Sequence, residues 1–424
     1  MNGFVISSTH SGGGKTTMTL ALMQALKRQG VLFSPFKTGP DYIDPMWHKA
    51  VAGKTSYNLE PHMMSPEHIR HLLERADGMP VVEGVGGLYC SGGRADTAKL
   101  AMELSLSVVF VVDAGGMAGS IAPLMQGFSR YNPKLEFAGV IANKVGSERH
   151  ALMLKAALEE HDLPPLLGWL MRDDACRLPE RHLGLHMPNE SDVPDFSGAL
   201  HLEDIFWQWL QQKRDHAGRA LAVKPGAALR LEGRRIAIAR DAAFCFIYPA
   251  NIEWIVAQGG EPLSFSPLAG EPVPEGSDAL WLPGGYPELH AGVIAERKLD
   301  SVCDFIESGK PVFAECGGMI VLGESLTDKD GKIWPMAGLL PFRTVMQQRL
   351  ASLGYRQGGG AGFEPLRGHE FHYSTREMSE EFPPAFDVEN GDSGLMYKQL
   401  RASYCHWYFE SSPEYAAHIL GGRG

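Results

Sequence analysis

The sequence predicts an α/β protein built from two successive domains, and three observations carry that expectation. Across residues 1–210, short β-branched or aromatic runs alternate with amphipathic stretches. A polar, small-residue segment without clear periodicity, QQKRDHAGRALAVKPGAALRLEG at 211–233, then interrupts the pattern. A second alternation opens at Arg235–Arg240 (RIAIAR) and fills residues 234–424. Strands that alternate with helices imply βαβ crossovers, and these produce a mostly parallel sheet covered on both faces. The middle segment has the composition of an interdomain linker.

In the first domain Gly3–Ser7 reads as a buried strand and Lys15–Gln29 as the helix that follows it. Val31–Phe36, Pro80–Glu83, Ser107–Val112 and Phe137–Ala142 are further expected strands, with helices over Gly119–Arg130 and Glu148–His161. In the second domain RIAIAR, DALWLPG and PVFAE read as strands, and a helix is expected after Gly318. No repeat of fixed period appears, and Gly358–Gly360 is the one low-complexity run.

Composition narrows the function classes. Hydrophobic residues make up 44% and charged residues 21% of the 424, the balance of a globular chain. A net charge of -11 argues against a dedicated nucleic-acid binder. Six cysteines, at 90, 176, 245, 303, 316 and 405, form no CxxC pair and no zinc-type spacing, which fits a reducing compartment. The start MNGFVISSTH lacks the pattern of a secretory signal, and no apolar run approaches membrane-spanning length. A cytoplasmic location is expected.

Four loops that follow expected strands carry polar chemistry. The first runs from Ser8 to Thr17 (STHSGGGKTT) between a strand and a helix. Glycines let backbone N–H groups turn towards an oxyanion, and the helix N-terminus adds positive potential. Ser11, Gly12, Gly13, Gly14, Lys15, Thr16 and Thr17 are thus the expected nucleotide phosphate contacts, with Lys15 on the β- and γ-phosphates and Thr16 on magnesium. Thr9 stands where the strict phosphate-loop spacing has glycine, and the bland alternative is an ordinary glycine-rich turn. The second loop, FKTGPDYIDP, sets Lys37 beside Asp41, Tyr42 and Asp44, the candidate substrate contacts, although Gly, Pro and Asp alone would also make a plain turn. The third, VEGVGGLY, offers Glu83, which with Asp44 could hold magnesium from the side opposite Thr16. Asn143, after a further strand, could read a nucleobase edge. The histidines of Met46–His48, Glu67–His71 and Arg149-His150 lack metal spacing and read as surface or substrate-loop residues.

The second domain contains PVFAECGGM, a strand, a cysteine among small residues, and a helix start. This is the layout of a nucleophile elbow. A helix N-terminus lowers a thiol's pKa, so Cys316 is expected to be partly thiolate near neutral pH; the alternative is a buried cysteine acting as a small hydrophobe. His406, in ASYCHWYF, is the candidate base, with His369 and His372 of GHEFHYS as competitors. The amides of Gly284 and Gly285, in LPGGYPE, are candidates for an oxyanion hole.

With these motifs placed, the sequence resembles the cobyrinate/cobyric acid synthase group of glutamine amidotransferases, and within it the cobyrinic acid a,c-diamide synthases. The resemblance spans essentially the whole chain through SGGGKTT, FKTGPDYIDP, EGVGGLY, NKVGSERH, LPERHLGL, LPGGYPE, AECGGM, GHEFHYS and ASYCHWYF. It implies a dethiobiotin-synthetase-like phosphate-loop domain joined to a class I, Triad-type glutaminase. It further implies that ATP phosphorylates the c and then the a acetate of a corrinoid, that ammonia from L-glutamine displaces the phosphate, and that Mg2+ assists. Cys316 would be the nucleophile and His406 its activator; Asp41, Asp44 and Glu83 would serve metal and substrate, and Asn143 the base. A monomer or homodimer, with neither nucleic-acid nor membrane partner, is expected.

Three positions depart from the family pattern. Ser8-Thr9 replaces Gly-Thr, Cys90 replaces an aspartate for which Asp96 is the nearby substitute, and Tyr408 replaces the glutamate of many class I glutaminases, which suggests a Cys–His dyad. The rival readings are cobyric acid synthase-type amidation, a,c-diamidation of a nickel tetrapyrrole, and a partitioning-type ATP switch. Such a switch carries Lys where this loop has His10 and lacks a glutaminase.

Overall fold

In the N-terminal half, runs such as FVISS and SVVFVVD are almost wholly apolar or small, and each lies buried over its whole length or all but its last residue. Strands of that kind need cover on both faces and take the middle of a sheet. The computed structural model describes residues 2–89, 96–181, 184–188, 192–215, 229–360 and 362–422. Cys90 lies outside these residues. The chain divides into two units, Met1–Pro61 with Ser65–Val223, and His62–Met64 with Lys224–Gly424.

The first unit runs β1 (Phe4–Ser8), α1 (Lys15–Arg28), β2 (Phe33–Thr38), α2 (Ile43–Ala52), β3 (Tyr57–Leu59), α3 (Pro66–Glu74), β4 (Met79–Glu83), α4 (Thr97–Leu104), β5 (Ser107–Asp113), α5 (Ile121–Tyr131), β6 (Phe137–Val145), α6 (Glu148–Glu159), β7 (Leu166–Met171), β8 (Leu200–Leu202) and α7 (Asp204–Asp215). Its eight-stranded sheet has the order β8-β7-β6-β5-β1-β4-β2-β3. Every pairing is parallel except β8 with β7. Phe4, Ile6, Val109, Val111 and Ile141 from the sheet pack with Met18, Leu22 and Leu26 of α1 in the core. Because β1, β2 and β4 are parallel neighbours, the loops after all three leave the same edge, and the register sets Lys37 opposite Glu83. The expected linker begins differently: α7 continues to Asp215, so residues 211–215 are helical, while 216–228 lie outside the described residues.

The second unit contains β9 (Arg235–Ala239), α8 (Pro249–Ala257), β10 (Glu261–Phe265), β11 (Ala279–Leu282), α9 (Ala291–Arg297), α10 (Asp300–Glu307), β12 (Val312–Glu315) and α11 (Gly317–Ile320). Then come β13 (Ser352–Gly360), β14 (Phe363–His372), β15 (Leu395–Tyr397), β16 (Leu400–Ser403), β17 (Cys405–Tyr408) and α12 (Pro413–Ile419). A six-stranded sheet of order β10-β9-β11-β12-β16-β15 is parallel save for β15 with β16. An antiparallel sheet built on β13, β14 and β17, and a mixed sheet formed by short strands at 325–327, 333–335, 342–346 and 374–378, add to this core. Among the described residues no helix is long and apolar enough to cross a membrane.

Candidate active site

The loop between β1 and α1 is shaped by glycine. Gly12 and Gly14 have φ of 79° and 86°, and a β-carbon at Gly14 would stand 2.1 Å from Asn143 Nδ2. Only glycine gives both the left-handed turn and that approach. Helix α1 begins at Lys15 without a side-chain cap, so its first N–H groups face the loop. Lys15 folds back over the loop, where its Nζ donates to Ser8 Oγ at 3.2 Å and to the His10 carbonyl at 3.1 Å. Ser11 and the glycines form the turn, and Thr16 and Thr17 open the helix. At the position with the unusual residue, Thr9 Oγ1 lies 2.6 Å from His10 Nδ1 on the surface.

Thr16 Oγ1 donates to Glu83 Oε1 at 2.7 Å, which ties the helix start to the end of β4. Lys37 Nζ reaches the same oxygen at 2.9 Å and Asp44 Oδ2 at 2.6 Å. His48 Nε2 meets Glu83 Oε2 at 2.8 Å, and its Nδ1 meets Ser56 Oγ at 3.0 Å. His48 and Glu83 are completely buried. His48 therefore belongs to this network, against the surface reading of the Met46–His48 segment. Helical spacing explains the miss: α2 turns His48 inward together with Asp44, and sequence alone does not say which face of α2 meets the sheet.

Burial alone would strip the proton from Lys37, but Asp44, Glu83 and Asp41 outweigh it and hold the ammonium charged. Burial would also raise Glu83, yet Lys37, His48 and Thr16 keep its carboxyl well below the ordinary range. Asp44 goes the other way: burial, Asp41 and Glu83 raise its proton affinity despite Lys37. The cluster thus holds more carboxylate than cation.

Among the described residues no group of three or more His, Cys, Asp or Glu is disposed to hold a metal unaided. Magnesium, however, is usually held by one or two carboxylates together with substrate phosphates and water. The Thr16 hydroxyl, Glu83 and the carboxylate-rich surroundings of Asp44 are hard oxygen donors of that sort.

The remaining candidates of this unit have local partners. Asp41 Oδ1 accepts the N–H groups of Ile43 at 2.8 Å and Asp44 at 3.1 Å, so it helps start α2, and Tyr42 is the buried residue before that helix. Asn143 is buried at the end of β6, and its Oδ1 accepts the Lys144 N–H at 2.9 Å. Asp96 caps α4 by accepting the Ala98 N–H at 2.8 Å.

In the second unit Cys316 has φ 43° and ψ −105°, a strained backbone for a residue with a side chain, at the turn from β12 into α11. Its N–H donates to the Ser403 carbonyl at 2.7 Å. A β-carbon at Gly284 would stand 2.2 Å from His406 Cε1, and one at Gly317 would stand 3.0 Å from the Gly285 nitrogen. The glycine loop therefore touches both the turn that carries Cys316 and the imidazole of His406. His369 faces His406 across the β14–β17 pair, and the two rings stack with centroids 5.0 Å apart. Tyr248 Oη lies 3.0 Å from His369 Nδ1. His372 is held between Glu370 at 2.8 Å and the Ser374 carbonyl at 2.7 Å. Tyr408 is buried and meets Tyr248 edge-on, with centroids 5.7 Å apart.

The structure corrects the expected thiolate. Burial pushes the Cys316 thiol far up, and Glu288, Glu315 and Glu370 add to the effect. Helix α11 has four residues, too short a run of aligned peptide dipoles to reverse this. Burial, with His369 and His372 nearby, holds His406 well below the usual histidine range. Burial thus favours the neutral form of both thiol and imidazole. Sequence reasoning also missed Glu315, whose position inside a buried strand conceals its partners.

A phosphate-loop nucleotide domain followed by a glutamine amidotransferase domain defines a glutamine-dependent amidating ligase. Residues 4–185 match the CobQ/CobB/MinD/ParA nucleotide binding domain, and residues 235–414 the CobB/CobQ-like glutamine amidotransferase domain. The chain is 41% identical to the hydrogenobyrinate a,c-diamide synthase of Brucella anthropi, over 96% of this chain and 98% of that protein. It is 37% identical to the cobyrinate a,c-diamide synthase of Priestia megaterium, over 96% and 94% of the two chains. With the cobyrinate a,c-diamide synthase of Herminiimonas arsenicoxydans it shares 40% identity over 98% and 96%. The chain belongs to the cobyrinate and hydrogenobyrinate a,c-diamide synthase family.

Proposed function

We propose that the chain converts the a and c acetate carboxylates of cobyrinate or hydrogenobyrinate to amides, with ATP and glutamine as co-substrates. The observation that supports this best is the pairing, in one chain, of a phosphate loop meshed with Glu83 and a strained cysteine turn packed against the glycine loop that His406 touches. A carboxylate is a poor acyl donor because its leaving group would be oxide. Transfer of the γ-phosphoryl group of ATP makes an acyl phosphate, which ammonia attacks with loss of inorganic phosphate.

In the N-terminal unit Lys15 and the loop N–H groups hold the phosphates, and Lys37, Asp41, Tyr42 and Asp44 face the acceptor carboxylate. Thr16, Glu83 and Asp44 would hold Mg2+, which offsets charge on the transferring phosphoryl group. Asn143 contacts the base. In the C-terminal unit the Cys316 thiol passes its proton to His406 as sulfur adds to the glutamine side-chain carbonyl. The amides of Gly284 and Gly285 face the oxyanion, and ammonia leaves with the proton held by His406. Water then hydrolyses the glutamyl thioester. Free thiols at Cys176, Cys303, Cys316 and Cys405 agree with a reducing, cytoplasmic setting.

The test is mass spectrometry of cobyrinate, hydrogenobyrinate and a nickel tetrapyrrole after incubation with ATP and glutamine. Two added amides at the a and c positions of a corrinoid are expected; turnover of the nickel compound alone would overturn the reading. Cys316→Ser should end glutamine hydrolysis but leave ammonium-driven amidation, and Lys15→Ala should end amidation from either nitrogen source.

A further inference from the structure

Three segments carry the proposed glutaminase site: β12, which ends at Glu315 and leads into Cys316; β17, which contains His406; and β11, which leads into the Gly284-Gly285 loop. Glu315 is buried, and each of its carboxylate oxygens accepts from a different one of the other two segments. Oε1 takes the Trp407 N–H at 2.8 Å, and Oε2 takes the Trp281 indole N–H at 2.9 Å. The Trp407 N–H belongs to the peptide group that begins at the His406 carbonyl, so this bond fixes the plane next to the imidazole. On the far side Asn251 of α8 donates to the Trp407 carbonyl at 2.8 Å and accepts the Phe409 N–H at 2.9 Å.

We infer that Glu315 is a positioning residue of the glutaminase site, its side-chain carboxyl locking the nucleophile turn, the base strand and the glycine loop to one another. The rest of β12 is apolar, and a fully apolar strand would satisfy the core. Burial raises the pKa of this carboxyl to about 8 even though the Trp407 and Trp281 N–H donors lower it, so the two hydrogen bonds offset only part of the cost of burying the group here. Both donors come from residues adjoining the site, one directly after His406 and one three residues before Gly284. The oxygens act as paired acceptors, a geometry that an amide reproduces on one side only.

The inference rests on Cys316 being the nucleophile, so Cys316→Ser is assayed alongside. Glutamine hydrolysis surviving in that variant rejects the nucleophile reading itself. Where it is lost there, Glu315→Gln tests the inference. Its amide oxygen can keep one N–H, while its NH2 confronts the other. Glutaminase kcat is expected to fall about 10- to 100-fold, the scale of a misplaced reacting group, with KM for glutamine nearly constant and ammonium-driven amidation retained. Trp281→Phe removes one donor and leaves the bond to Trp407; placed in the Glu315→Gln background it should restore part of kcat, because the donor–donor clash disappears. A residue that merely fills the core predicts additive losses and no rescue. Wild-type kcat in Glu315→Gln, additive losses in the double variant, or a parallel fall in ammonium-driven amidation overturns the inference. If Glu315→Gln does not fold, Trp281→Phe alone decides: lowered kcat at constant KM supports positioning, and unchanged kcat refutes it.

Discussion

Replacing Lys37 by methionine removes the ammonium that lies against both Asp44 and Glu83, while keeping most of the side-chain volume. The two contacts are 2.6 and 2.9 Å, and the Lys37 and Glu83 side chains are at most 4% exposed. At an effective dielectric of about 20, unit charges at such distances attract by about 6 kcal/mol, and much of this offsets desolvation. Removing one partner leaves the desolvation uncompensated, and the expected loss is about 3–5 kcal/mol. Urea titration read by hydrogen exchange in peptides spanning β2 and β4 measures it.

The pH dependence supplies a second check. In the natural chain Glu83 is held below its unfolded value, so it contributes stability that is present above the unfolded carboxylate pKa and lost as pH falls through the folded value. Without Lys37 the clustered carboxylates bind protons more tightly folded than unfolded, so the variant regains stability as pH drops from about 8 towards about 5. A loss below about 1 kcal/mol, or one that is the same across that range, refutes the claim that buried charge compensation organises this cluster.

Three further outcomes are expected. His48→Ala leaves Glu83 Oε2 without its 2.8 Å partner, and should cost about 1–3 kcal/mol together with a fall in corrinoid-dependent ATP hydrolysis, read by unfolding and phosphate release. Gly284→Ala sets a methyl group against His406 and should abolish glutamine hydrolysis while ammonium still supports amidation, measured as ammonia and amide formation. Iodoacetamide alkylation of Cys316, followed by peptide mass spectrometry, should keep accelerating as pH rises above about 9, because burial holds the thiol protonated. A plateau near neutral pH would restore the thiolate reading.

Strands β1, β2, β4, β5, β6, β9, β11 and β12 were legible because buried β runs are contiguous in the chain. FVISS, SVVFVVD and VFAE each announce themselves within a few residues. The three-residue strands β3 and β8 and the antiparallel additions to the second unit were not, since short or glycine-rich strands such as Ser352–Gly360 carry no alternation. Likewise the glycine-rich turn before Lys15 and the cysteine between β12 and α11 could be read as local strand–turn–helix units. The contacts of His48 and Lys37 with Glu83, and those of Glu315, could not, because these hydrogen bonds join residues 34 to 92 positions apart.

By itself, then, the sequence determined where the glycine-rich phosphate loop and the candidate cysteine turn lie, since a βα turn is encoded by neighbouring residues. Tertiary structure alone decided the charge state in which those groups wait. Parallel register brings Lys37 to Glu83, and burial, a property of the packed chain rather than of any segment, keeps the Cys316 thiol protonated and makes the Glu315 carboxylate depend on its two N–H donors.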